Sequence, residues 1–334
     1  MKAMVLAAGL GERMRPLTDH LPKPLLPIAN RPVMAYILEH LARHGFTEVI
    51  ANLHYRGPDI VDCFGDGSCC GVHLTYTEEK KLWGIAGGMR RCKDFFGDET
   101  FLVIGSDDLT DMDLTALLEH HRRTGAIASI GLVEVEETSQ FGIVVTDQKG
   151  RIERFVEKPK GRAPSNTANT QIYLFEPAIF DFIPPDTVYD LGFDTFPKVV
   201  EAGAPFCGVR LPGYWRDIGS IRGYLEAHED VMLGRVQARI EGEQVRPGIW
   251  IGEGSDIHPE AELTPPVALG QRCVIRAGAA LSGATAIGAD AEVGAGSSLH
   301  RSAVWPGARV PPAAALRDAV VLDDTVVRAT DGPA

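Results

Sequence analysis

"AAGLGERMRPLTDHLPKPLLPI" occupies residues 7–28, after a short apolar run at 4–8 and before an amphipathic stretch at 32–44. The run reads as a buried strand that ends in glycine. In the stretch, Pro32 suits a first helical turn, Met34, Ile37, Leu38 and Leu41 share one face, and Gly45 supplies the stop. Residues 48–53 (EVIANL) read as the next strand. Strand, loop, helix and strand in that order predict an α/β fold with a mostly parallel sheet. The loop is longer than such connections usually are, and loops of that length usually carry function. Gly9 and Gly11 let backbone N–H groups turn towards an anion. Arg13, Arg15 and Lys23 add positive charge, while Pro16, Pro22, Pro24 and Pro27 fix the backbone before anything binds. That is the composition of a triphosphate cradle. The glycine pair alone is a weak signal, because the third glycine of a dinucleotide fingerprint is absent.

Further strands are expected at 101–104, 127–135, 141–145 and 152–156, and helices at 114–124 and 223–235. Beyond residue 249 the pattern changes. Ile251, Ile257, Leu263, Leu269, Ile275, Leu281, Ile287, Val293, Leu299 and Trp305 follow one another at intervals of six. A glycine-rich linker does not explain such a period, whereas a β-helix does: each hexapeptide forms one side of a coil and stacks one inward apolar residue on its equivalents. The chain therefore divides into residues 1–237, an α/β domain, and residues 247–328, a solenoid.

With 334 residues the chain is long enough for two domains, and 45% hydrophobic residues suffice for a packed core. A net charge of -12 argues against a nucleic-acid or anionic-membrane partner, so any bound anion must be held by a local cluster of donors. The six cysteines form no C-x-x-C pair, which argues against zinc or a disulfide framework and fits a cytoplasmic protein. The histidines show no metal spacing; His120 and His121 read as solvated, and His258 and His300 as solenoid turn residues.

The opening loop resembles the signature of the sugar-nucleotide pyrophosphorylases, which join a nucleoside triphosphate to a sugar 1-phosphate. The resemblance continues, in the family's order, through LWGIAGGMRRCKDFFGD (82–98), FLVIGSDDLTDMDL (101–114), FVEKP (155–159), NTQIYLFEP (169–177) and YWRDIGSIRGYLEA (214–227). It implies a Rossmann-like nucleotidyltransferase domain followed by a left-handed parallel β-helix, closest to the GDP-mannose type. It further implies Arg13, Lys23 and Asp107 as catalytic residues and Asp107 and Asp217 as ligands of Mg²⁺. Ala8, Gly9, Gly11, Gly84, Gly87 and Gly88 would bind nucleotide, and Gly142, Glu157, Lys158 and Asn169 the sugar phosphate. These residue types suit the chemistry, since phosphoryl transfer is mostly positioning and charge neutralisation. In S-D-D the alignment selects Asp107 over Asp108. Departures from the family pattern are Glu12, Ile85, Ser220, Ile221 and, in the sugar segment, Gln171 for the usual glycine.

The expected reaction gives NDP-sugar and pyrophosphate, with GTP and mannose 1-phosphate as the first pair. Glucose 1-phosphate and uridylyl, thymidylyl or adenylyl transfer are alternatives. So is a non-catalytic regulatory paralogue, against which stand Arg13, Lys23, Asp107 and Asp217, all present. Homo-oligomerisation through the β-helix is expected.

Overall fold

The computed structural model describes residues 1–323 and 325–329. By contacts the chain forms two compact units. The first comprises residues 1–10, 37–106 and 112–215; the second, residues 11–36, 107–111 and 216–334.

The first unit is built on a nine-stranded sheet. Lys2–Leu6 lies between Glu48–Leu53 and Phe101–Gly105 and is parallel to both, with Met4 opposite Ile50 and Val103. His73–Glu78 continues the parallel half. On the other side Thr167–Phe175 runs antiparallel to Phe101–Gly105 and to Ala128–Glu134. The central strands carry apolar residues at almost every position because both faces of such a sheet are covered. Phe96, Phe101, Phe175, Phe180, Phe196 and Phe206 are all fully buried in one core cluster. The helix Leu114–Thr124 has both ends written locally. Asp113 accepts from the Ala116 N–H at 3.0 Å, and Gly125, at φ 61°, closes the last turn onto the His121 carbonyl. His121, expected in solvent, is buried; its ring meets Ser129 Oγ at 2.7 Å and Glu176 Oε1 at 3.1 Å.

In the second unit the hexads form three stacks of parallel strands. Val267–Leu269 pairs with Thr285–Ile287, Val274–Ile275 with Glu292–Val293, and Ala280–Ser282 with Ser298–His300, each offset by 18 residues. Leu269, Ile275, Leu281, Ile287, Val293 and Leu299 are fully buried between the sheets. A Cβ at Gly270 would stand 2.6 Å from the Ala289 nitrogen of the next coil, so that corner admits only glycine. Antiparallel strands, Glu243–Arg246 and Thr325–Arg328, flank the longest of the three sheets.

The period of six fails at its last member. From Ile287 the register passes to Val304, an offset of 17, and the following pairs, Val293 with Val310 and Leu299 with Leu316, keep it. The coil is one residue short before Val304, so Val304 takes the inward place and Trp305 does not. Trp305 is buried instead against the helix Ile221–Met232, where its indole N–H donates to the Tyr224 hydroxyl at 3.1 Å. His300, expected in a turn, ends the strand Ser298–His300 and meets Ser282 Oγ at 3.1 Å.

Candidate active site

Five of the expected residues, Gly11, Arg13, Lys23, Asp107 and Asp217, fall in the second unit, and the structure gathers the last four. Pro22, Lys23, Pro24 and Leu25 form a short 3-10 turn, with the Leu25 N–H on the Pro22 carbonyl at 2.8 Å. The turn buries Lys23 to 8% exposure and turns its ammonium onto the Asp107 carboxylate. Asp217 Oδ1 lies 3.8 Å from the same nitrogen. Burial alone would lower the Lys23 pKa, but Asp107 and then Asp217 outweigh it and raise the group above its ordinary value. The ammonium is therefore charged at every working pH. The two carboxylates remain about a quarter exposed, at 25% and 23%, so an incoming ligand can reach them.

Gly219 shows how closely the cluster is packed. A Cβ there would stand 2.7 Å from Asp217 Oδ2 and 2.9 Å from Arg13 Nη2. Ser220, which follows, caps the helix Ile221–Met232 by accepting from the Gly223 N–H at 3.1 Å. Of the two neighbouring aspartates, Asp107 carries the carboxylate that meets Lys23; Asp108 opens the strand Asp108–Thr110 and is 1% exposed. Gly11, at φ 66°, is backed by Thr18, whose hydroxyl donates to the Gly11 carbonyl at 2.9 Å. Among the described residues no three His, Cys, Asp or Glu side chains converge as a metal set. Two carboxylates flanking one ammonium nevertheless fit Mg²⁺, which takes one or two protein carboxylates and fills its shell with phosphate oxygens and water.

The other expected residues fall in the first unit. Ala8 and Gly9 follow the strand Lys2–Leu6, and the Ala7 N–H donates to Asn52 Oδ1 at 3.0 Å. Gly84, Gly87 and Gly88 lie in a helix, Gly84–Arg91. Each also has a packing reason to be small. Gly84 and Gly87 abut the backbone of Thr187 and Tyr189, and a Cβ at Gly88 would stand 2.5 Å from Glu79 Oε1. Glu157 lodges between Gly142 and Gly192, where a Cβ would stand 2.7 and 2.5 Å from its Oε2. Burial raises its pKa, Lys158 opposes that, and Asp190 adds to it. Lys158 is exposed, 3.9 Å from Glu157 Oε1. Asn169 is nearly buried and its amide is engaged within the protein, donating to the Tyr173 hydroxyl at 2.7 Å and accepting from the Gln171 N–H at 2.9 Å. Gln171 sits at a register shift of its strand with φ 58°, a left-handed backbone. The glycine usual at this place in the family thus has a backbone reason.

Sequence reasoning did not mark Glu79 or Asn52. Glu79 is a buried carboxylate that accepts from Asn52 Nδ2 at 2.8 Å and from the Trp83 N–H at 3.2 Å, so it ties the strand Glu48–Leu53 to the start of the glycine helix. The available signal was Asn52 itself, a polar amide in an apolar strand.

The nucleotidyl transferase family model matches residues 2–233. A UTP–glucose-1-phosphate uridylyltransferase of Synechocystis is 39% identical over 96% of this chain and 87% of its own. Mannose-1-phosphate guanylyltransferase 1 of Arabidopsis thaliana is 33% identical over 85% of this chain and 81% of its own. A crystal structure from Bacillus anthracis, described as a glucose-1-phosphate thymidylyltransferase, superposes with a TM-score of 0.65 at 27% identity, covering 73% of this chain and 98% of that one. The chain belongs to the nucleotidyl transferase family.

Proposed function

We propose that this protein transfers a nucleoside monophosphate from a nucleoside triphosphate to a sugar 1-phosphate. The observation that carries the reading is the buried Lys23 ammonium held by Asp107 with Asp217 beside it, next to Arg13. An oxygen of the sugar phosphate attacks the α-phosphorus, a new P–O bond forms, the bond to the β-phosphate breaks, and pyrophosphate leaves with the electron pair. Negative charge gathers on the phosphate oxygens through this step, and preorganised cations oppose it. Lys23 and Arg13 supply that charge here. Asp107 and Asp217 would hold Mg²⁺, which when bound adds Lewis-acid charge at the phosphates. Glu157, Lys158 and Asn169, with Gly142 beside Glu157, are assigned to the sugar phosphate.

For the substrate pair, 39% identity over nearly the whole chain supports UTP with glucose 1-phosphate. GTP with mannose 1-phosphate is the second reading, supported by relatives at 31–33%. A matrix of triphosphates against hexose 1-phosphates, read by pyrophosphate release with and without Mg²⁺, tests both. One strongly preferred pair, dependent on metal, is expected. No release across the matrix would return the protein to the regulatory, non-catalytic reading. A cytoplasmic location, supported by six cysteines of which no two stand in a C-x-x-C spacing, and homo-oligomerisation through the solenoid complete the proposal.

A further inference from the structure

The residue following the shortened coil reaches the signature loop through a chain of directed hydrogen bonds. An indole N–H can only donate. The Tyr224 hydroxyl therefore accepts from Trp305 and gives its own proton to the Pro27 carbonyl, at 3.1 and 2.5 Å. Tyr224 is fully buried, and burial raises its pKa, so the hydroxyl stays protonated.

Both ends of this link bear on the catalytic cluster. Tyr224 lies in the first turn of the helix Ile221–Met232, five residues past Gly219 at the end of the Asp217–Gly219 corner, with its N–H on the Ser220 carbonyl at 2.9 Å. Pro27 is four residues past Lys23. Little freedom separates them: Pro24 is rigid, the Leu26 N–H bonds the Lys23 carbonyl at 3.1 Å, and the Leu26 carbonyl accepts from Val33 at 3.0 Å. Pro27–Ile28 then pairs with Arg31–Pro32 across a two-residue turn in which Ala29 and Asn30 both have positive φ, 45° and 68°. The strained Ala29 is held by a bond from its N–H to His228 Nδ1 at 3.1 Å, one turn along the same helix from Tyr224.

We infer that Tyr224, oriented by Trp305 of the solenoid, is a positioning residue for the transfer: it sets Lys23 relative to Asp217. The solenoid thereby acts on the chemistry without touching substrate. The inference rests on the function proposed above for Lys23 and Asp217.

The test uses the full-length chain with Tyr224→Phe and Trp305→Phe. Tyr224→Phe keeps the ring and breaks both bonds, and should lower kcat about tenfold or more, as small misplacements of a catalytic group do. The KM for the sugar 1-phosphate should stay within about twofold, because the residues assigned to it belong to the first unit and this network to the second. Amide exchange should quicken in the peptide 22–33 and stay unchanged in 101–105. Trp305→Phe should act in the same direction and less, since the Tyr224 hydroxyl still reaches Pro27. Wild-type kcat and exchange in Tyr224→Phe would overturn the inference. So would equal quickening of exchange in both peptides, in whichever of the two variants folds, because that is a loss of general stability. If the wild-type protein released no pyrophosphate, the functional reading would fail, while the exchange comparison would still decide whether Tyr224 holds the loop.

Discussion

The cation cluster and the solenoid belong to one compact unit and are built on opposite rules. In the cluster each residue is singular: one lysine, two aspartates, and a glycine where no side chain fits. In the solenoid Leu269, Ile275, Leu281, Ile287, Val293 and Leu299 fill equivalent places, and any one could be exchanged for its neighbour's type. A singular set concentrates its effect in the chemical step. A repeated set spreads its effect over stability, as a sum of similar contributions from stacked coils.

The largest expected effect breaks the comparison from the cluster side. Asp107→Asn and Asp217→Asn each keep size and lose charge beside Lys23, and each should lower kcat by about a hundredfold or more with little change in unfolding temperature. Asp108→Asn should cost activity far less; if it proved the worst of the three, the placing of Asp107 as the metal carboxylate would fall. From the other side, Leu281→Ala removes a fully buried side chain and should cost about 2–5 kcal/mol by denaturant unfolding. Its kcat at a permissive temperature should stay near the wild-type value, and a hundredfold loss there would erase the distinction between the two regions.

His228 sharpens the comparison through pH. Burial depresses its imidazole to about 3, against an ordinary 6.5. Between those values the unfolded chain takes up a proton that the folded protein refuses. The contribution is therefore present above pH 6.5 and is lost as pH falls towards 3, at up to roughly 1.4 kcal/mol per unit. Denaturant unfolding from pH 7.5 to 4.5 should show this slope, and His228→Gln should flatten it. A smaller effect is expected at Gln171. Gly there relieves the left-handed backbone and should stabilise by about 1 kcal/mol while shifting the preference among sugars. An unchanged sugar profile with weaker triphosphate binding would remove Gln171 from the sugar segment.

The two regions also differed in how far they could be read from sequence. Six of the nine sheet strands and the helix Leu114–Thr124 were legible because apolar runs and a terminal glycine are local signals, whereas His73–Glu78, Thr167–Phe175 and Phe206–Arg210 were not expected. The coils were legible because repetition multiplies a weak signal. The same repetition concealed an error: Trp305 keeps the count of six and is large and apolar, so nothing in the sequence separated it from the inward residues, although the coil had lost a residue. In the site, charged residues in family order were legible. Glu79 and Asn52 were not, because a buried polar pair is defined by a contact between distant strands. No helix was expected at 84–88; the glycines lie in one, and their close approach to residues 187–189 and to Glu79 is a tertiary feature that local sequence does not display.

The short coil turns residue number into a phase. Inserting a whole coil of 18 residues upstream of residue 300 would lengthen the rod and leave every later side chain facing as before. Deleting a single residue before Val304 would bring Trp305 into the place that Val304 now holds and turn it inward, away from Tyr224. The protein's length can therefore drift in steps of a coil at little cost to its chemistry, while a single codon lost at that point would uncouple the rod from the site with every catalytic residue intact.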